Sequence, residues 1–212
     1  MDSKTLKNIL KNRTPEQQAV IKYFVAGGGC LSKGMTDAQY EELVAKKVAE
    51  TDWKQRALDN LGLDEDQVKE VEPVHFENWL FDDDKAYAKC GKDNLWRSSA
   101  YQITWLFFSS EQVYLYQYIL NMDEDGKKEL TEEYFYKDIT NFSSSSEAVE
   151  KKDVLVKVNC KGEGVYDRRV IETNVFKIVV PGDKLTCSVK KNEYTDRAIQ
   201  GMKAKLREKK NS

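Results

Sequence analysis

The hydrophobic period of this chain changes at Pro73, and that change constrains the fold more than any other feature of the sequence. Before Pro73, apolar residues recur every three or four positions, as they do on one face of an α-helix. After it, they alternate with polar residues, which is typical of β-strands with one buried face. We therefore expect an α+β fold, with a helical region over residues 1–72 and an antiparallel β domain over residues 73–212.

Helix-start and helix-stop signals divide the helical region. Thr14 and Thr36 each precede a helical pattern and have Gln three residues later, which is the arrangement of a capping box. From Thr36 the pattern continues to Leu61, where Gly62 is suited to end the helix in a left-handed conformation. Asp64 can cap a further short helix. The sequence therefore predicts two or three helices before the strands begin.

Three consecutive glycines, residues 27–29, follow the first capped helix. A phosphate-binding glycine loop normally follows a strand and leads directly into a helix N-terminus. Here a helix comes first, and residues 30–35 separate the glycines from the next helix start. We therefore interpret the glycines as a flexible connector.

The β region predicts about seven strands and one closing helix. Aromatic and β-branched residues make residues 101–108, 112–120 and 133–142 the clearest strands, and the short connections between them favour antiparallel hairpins. Residues 143–146 and 167–169 are interpreted as loops. A last hairpin joins residues 175–180 to residues 185–189.

The C-terminal segment predicts an amphipathic helix. Ile199, Met202 and Leu206 recur at helical spacing. We expect this helix to lie against the corner of the β domain.

Two stretches of the β region resemble a known family. Residues 109–116 read SSEQVYLY, and residues 133–140 read EYFYKDIT. With the final helix, they resemble the bacterial pleckstrin-homology-like (PH-like) domains, over residues 74–209. The resemblance implies a PH-like antiparallel barrel or sandwich of two near-orthogonal sheets, with one open corner plugged by the C-terminal helix. It implies no shared catalytic residues, and members of the family differ in whether they bind lipid or protein.

Composition restricts the classes of partner. Charged residues make up 33% of the chain and sum to a net charge of −2, without the basic excess of a nucleic-acid-binding protein. No stretch reaches the roughly 18–20 apolar residues that cross a bilayer, and the N-terminus lacks the apolar segment of a secretory signal. The four cysteines are widely spaced and there is one histidine, so we expect reduced thiols, no zinc site, no cofactor and a cytoplasmic location.

One segment fits the spacing of a calcium-binding EF-hand loop. Asn121, Asp123, Asp125 and Glu132 supply oxygen atoms at the first, third, fifth and twelfth positions, and Gly126 stands sixth. However, a strand pattern rather than a helix precedes the loop, and its eighth position is basic. An acidic hairpin turn explains the same residues, so we expect no metal there.

Four basic residues mark a candidate lipid-headgroup site. Lys85, Lys89, Lys92 and Arg97 surround the loop that often holds headgroups in PH-like folds. Phosphoinositide recognition needs clustered cationic donors, and the carboxylates of residues 82–84 dilute this cluster. Membrane-surface binding is therefore the alternative rather than the leading hypothesis.

The sequence offers one possible catalytic pair. His75 and Glu77 share a strand face, as a base and the group that orients it can. No nucleophile accompanies them, so we expect no catalysis. The leading hypothesis is an interaction or scaffold protein whose partner is another protein, and peripheral binding to anionic lipid is the alternative.

Overall fold

The structure, a computed structural model, describes residues 3–26, 34–68, 71–158 and 164–211 of the 212. Its helices are α1 (Ser3–Leu10), α2 (Pro15–Val25), α3 (Asp37–Ala49), α4 (Trp53–Leu61) and α5 (Glu193–Asn211), and a single 3-10 turn covers Glu65–Val68. Its strands are β1 (Val74–Trp79), β2 (Ala88–Cys90), β3 (Trp96–Ser98), β4 (Ala100–Phe108), β5 (Gln112–Asn121), β6 (Lys127–Phe135), β7 (Asn141–Val158), β8 (Gly164–Val180) and β9 (Asp183–Ser188). The α+β class predicted from the sequence is confirmed.

The helix boundaries follow local capping chemistry. Thr14 and Thr36 both form complete capping boxes, and Gly62 ends α4 in the left-handed region with φ 65°. The prediction of one helix from residue 37 to residue 61 is wrong, because two helices cover this range. The Asp52 carboxylate accepts a hydrogen bond from the backbone N–H of Gln55 (3.1 Å) and starts α4 as a separate helix.

The strands form antiparallel sheets without closing into a barrel. The first sheet has the order β1-β4-β5-β6, the second has the order β7-β8-β9, and β2 and β3 form a separate hairpin. The described residues thus contain nine strands in three sheets, more than the seven expected. The antiparallel pairing itself is as predicted.

The first sheet is covered on both faces. On one face, Leu106 and Phe108 pack against the second sheet and against Met202 of α5. On the other face, Ile103 and Phe107 pack against α4. Because both faces are covered, residues 106–108 are all fully buried, which explains why the end of strand β4, residues 105–108, is a continuous apolar run. Ile199 and Leu206 are buried in the same cluster as Met202, as the sequence predicted.

Three strand and loop boundaries differ from the sequence prediction. The strand expected over residues 133–142 is interrupted by a turn between β6 and β7, anchored by the fully buried Ile139. Residues 143–146 are not a loop, because they pair with β8 in the register Ser143↔Lys177 to Ser146↔Asn174. Residues 167–169 also lie within β8. In the last two cases, pairing between β7 and β8 outweighs the turn-forming tendency of residues such as serine and aspartate.

Candidate interaction groove

Strands β7 and β8 continue beyond the end of β9 as a two-stranded ribbon that reaches the helices. The hydroxyl of Tyr166 donates a hydrogen bond to the carbonyl of Val25 at the end of α2. The ammonium of Lys151 donates to the carbonyl of Asp83. These contacts hold the ribbon beside the helical region, so that β8 and α3 lie on opposite sides of a shared space.

This space is a solvent-open groove of about 790 Å³, here called the α3–β8 groove. Its volume falls within the roughly 300–1,000 Å³ that is common for ligand sites. The groove is bounded by α3, the β2–β3 hairpin, the ends of β1 and β4, and β8. Its large apolar side chains are Val44, Val48, Trp79, Phe81, Leu95, Trp96 and Tyr101.

The aromatic floor of the groove is fixed by stacking. Trp79 lies parallel to Tyr40 of α3, with ring centroids 5.6 Å apart, and packs edge-on against Tyr101 at 5.0 Å. Tyr40 is fully buried, and its hydroxyl donates a 2.6 Å hydrogen bond to the carbonyl of Ser98. The buried Tyr40 ring therefore positions Trp79, and Trp79 in turn contacts Tyr101.

Leu95 is the most exposed of the large apolar residues in the groove wall, with 60% of its surface in solvent. It follows a tight turn in which Asn94 adopts a left-handed conformation with φ 62°. The backbone N–H of Gly91 donates to the carbonyl of Leu95 (2.9 Å), and the carboxylate of Asp93 accepts from the N–H of Leu95 (3.0 Å). The turn thus holds a large apolar side chain at the rim.

The charged residues of the groove wall are mainly acidic. Glu41, Glu77 and Glu172 carry the negative charges, and Lys190 carries the positive one. The neighbouring His75 ring, whose Nε2 lies 3.5 Å from Oε2 of Glu77, holds the pKa of Glu77 below its ordinary value despite burial. Glu77 is therefore ionised at neutral pH.

The four basic residues proposed from the sequence have separate surroundings. The side chain of Arg97 is only 2% exposed, and its guanidinium forms ion pairs with Glu41 and Asp93. The ammonium of Lys89 lies 3.8 Å from the centre of the Tyr23 ring and donates to the carbonyl of the same residue. Lys85 and Lys92 are exposed. The structure thus does not gather the four into one anion-binding surface.

The backbone beside these residues is tied to the start of α3. The carboxylate of Asp37 accepts hydrogen bonds from the hydroxyl of Tyr23 (2.8 Å) and from the backbone N–H of Lys92 (3.0 Å). Burial opposes ionisation of Asp37, but these two donors hold its pKa below the ordinary value. The pKa of Tyr23 is raised, mainly by burial and also by its hydrogen bond to the Asp37 carboxylate. The network joins α2, α3 and the β2–β3 hairpin into one unit.

The EF-hand-like segment is a β-hairpin turn between β5 and β6. Asp125 accepts a 2.7 Å hydrogen bond from the side chain of Gln17, and burial raises the pKa of Asp123. Glu132 pairs with Leu115, five residues along β6 from Lys127, which places it about 17 Å from the turn. Asn121 donates weakly to the carbonyl of Gly126 (3.4 Å) at the opposite end of the hairpin. The four proposed ligands are therefore not brought together.

The remaining candidates lie apart from one another. The His75 ring stacks on Trp105 with centroids 4.9 Å apart. Among the cysteines, Cys90 is exposed, and burial raises the pKa of Cys187 to about 12. Cys30, Cys160 and the three glycines lie outside the described residues. No group of three or more histidine, cysteine, aspartate or glutamate side chains in the described ranges could hold a metal ion.

The groove was not predicted from the sequence, because its residues come from six separate segments of the chain. The sequence feature that could have indicated a groove is the excess of tryptophan and tyrosine in strands, because alternation along a strand would bury only half of these side chains. Comparisons with protein-family models, curated proteins and solved structures found no match. Among the helices in the described part of the chain, none combines the length and apolar character needed to span a bilayer.

Proposed function

We propose that this chain is a non-catalytic interaction protein built on a PH-like β domain, and that it binds a partner protein in the α3–β8 groove. The element order supports the PH-like assignment. Four strands of one sheet, three of a second sheet and a closing helix follow one another along the chain, with the β2–β3 hairpin as an insertion. The fold alone does not define the function, so the proposal depends on the groove.

The observation that carries the proposal is the exposed apolar wall of the groove. Leu95 exposes 60% of its surface beside Trp79, Trp96 and Tyr101, each of which is partly exposed. Contiguous exposed apolar surface rimmed by polar residues is characteristic of binding sites. Tryptophan and tyrosine are also the residues that most often dominate the energetics of protein interfaces.

Binding to anionic lipid is the alternative, and the exposed Lys85 and Lys92 are the residues that favour it. A basic residue near an anionic membrane surface contributes about 1 kcal/mol. Two such contacts are opposed by the carboxylates nearby. We therefore expect no co-sedimentation with phosphatidylserine-containing vesicles at physiological salt, and salt-sensitive sedimentation that is lost in Lys85→Glu/Lys92→Glu would favour the lipid function instead.

Photo-cross-linking tests the protein-binding proposal directly. Leu95 is replaced by p-benzoylphenylalanine in cells that produce the protein, and the control carries the same replacement at Leu130, an exposed leucine on β6. We expect a discrete cross-linked protein species from position 95 that is absent from position 130. Equal patterns from both positions, or none from position 95, would contradict binding in this groove.

A further inference from the structure

The charge of the α3–β8 groove selects among possible partners. Of the charged residues that line the groove, Glu41, Glu77 and Glu172 are acidic and Lys190 is basic, so the lining carries an excess of two negative charges. Arg97 stands behind this wall and is shared between Glu41 and Asp93, so it does not reverse the excess. Both hydrogen bonds from Arg97 to Glu41 end on Oε1 of the carboxylate.

The aromatic rings of the groove floor also favour a positively charged ligand. The faces of Trp and Tyr rings attract cations, and the interaction strengthens when water is excluded. Trp79, Trp96 and Tyr101 supply such rings beside the three carboxylates. Elsewhere in this chain the same chemistry is already used, since the guanidinium of Arg56 lies 5.0 Å from the centre of the Tyr118 ring.

We propose that the α3–β8 groove binds a basic segment of a partner protein, in which arginine or lysine side chains meet the acidic and aromatic wall and an apolar neighbour packs on Leu95. This inference rests on the proposed function and specifies its partner. A peptide segment is favoured over a small cation because the groove is open to solvent and its lining extends from α3 to β8. A small hydrated cation would also gain no favourable contact from the apolar side chain of Leu95 at the rim.

Fluorescence anisotropy with defined peptides tests the charge selection. The probes are three labelled seven-residue peptides in which leucine alternates with arginine, with glutamine or with glutamate. We expect the arginine peptide to bind the 212-residue chain, and to bind more weakly as salt increases, because the attraction is between charges of opposite sign. The glutamine peptide should bind at least about tenfold more weakly, and the glutamate peptide should not bind detectably.

Matched variants locate the binding. Glu172→Lys reverses an exposed strand charge in the groove and should weaken arginine-peptide binding about tenfold. Glu133→Lys makes the same change at an exposed strand position on β6, outside the groove lining, and should change binding less than twofold, which is about 0.4 kcal/mol. Leu95→Ala should weaken binding about fivefold through lost apolar contact. Circular dichroism melting curves verify that each variant is folded.

Several outcomes would overturn the inference. Equal binding of the arginine and glutamine peptides, or no binding of the arginine peptide at millimolar concentration, would show that positive charge is not selected. Equal weakening by Glu133→Lys would show bulk attraction only, and displacement by micromolar spermidine would indicate a small-polycation site. If position 95 still cross-links a protein in cells under any of these outcomes, the interaction function stands and only the basic-partner inference fails.

Discussion

Replacing Arg97 tests whether this residue holds the helical region to the β2–β3 hairpin rather than serving a ligand. Its guanidinium donates to Oε1 of Glu41 on α3 (2.9 and 2.5 Å) and to both oxygens of Asp93 (2.9 and 2.6 Å). A fifth hydrogen bond goes to the carbonyl of Leu95 (3.0 Å). Arg97→Ala would remove all of them and leave a cavity where a nearly fully buried side chain stood.

The cost of this change follows from the exposure of the two acidic partners. Breaking a buried ion pair typically costs about 3–5 kcal/mol, because the remaining charge stays buried and unpaired. Here the side chains of Glu41 and Asp93 are 48% and 43% exposed and can regain water. The lost charge-assisted hydrogen bonds and packing remain, so we expect Arg97→Ala to lower the free energy of unfolding by about 3 kcal/mol.

Urea unfolding followed by tryptophan fluorescence measures this difference. Arg97→Lys should lie between wild type and Arg97→Ala, because lysine keeps the charge but lacks the planar fork that reaches both carboxylates. Lys92→Ala, at an exposed position in the same hairpin, should leave the midpoint unchanged. An Arg97→Ala protein as stable as wild type would refute the structural role and make Arg97 available again as a ligand-binding residue.

Four further predictions address the fold and the hairpin turn. Met202→Asp should lower the free energy of unfolding by more than about 3 kcal/mol in urea titration, because it places an unpaired charge in the core beneath α5. Gly91→Ala should cost about 1–3 kcal/mol, because its Cβ would collide with the guanidinium and carboxylates of the Arg97 network, whereas Gly201→Ala, in open space on α5, should stabilise by about 0.5–1 kcal/mol. Asp123→Asn should raise stability at neutral pH. Burial raises the pKa of Asp123, so the wild type loses stability as pH rises through that value, and the two proteins should converge below pH 3.8, the ordinary value. Millimolar calcium should leave the melting temperature unchanged, and a rise that disappears in Asp123→Asn would instead support a metal site over residues 121–132.

The features predicted correctly from the sequence are those that local chemistry determines. The capping boxes at Thr14 and Thr36 involve side chains and backbone groups three residues apart, so the sequence alone contains the whole interaction. Gly62 and the apolar face of α5 are local in the same sense. Asp52 is the N-cap of α4, and it was missed from the sequence because the apolar pattern continues across the break between α3 and α4.

The errors lie where distant pairing decides the structure. Four consecutive serines have little tendency to form a strand, yet residues 143–146 are strand because residues 174–177 of β8 supply their hydrogen-bond partners. Conversely, the aromatic run of residues 133–142 breaks after Phe135, because Ile139 and Phe142 must both reach the core between the two sheets. Neither outcome can be deduced without knowing which strand lies alongside.

The same reasoning explains why the four basic residues are not gathered into one cluster. Lys85, Lys89, Lys92 and Arg97 are close in sequence, but hairpin geometry turns successive side chains to different neighbours. Two of these residues meet groups from the helical region, Tyr23 and Glu41, that lie more than fifty residues away in the chain. The cationic groups of Lys89 and Arg97 therefore form contacts within the protein. The carboxylates of Glu77 and Glu172, which are distant in sequence, line the α3–β8 groove together, so this part of the surface is suited to a cationic partner rather than to an anionic membrane.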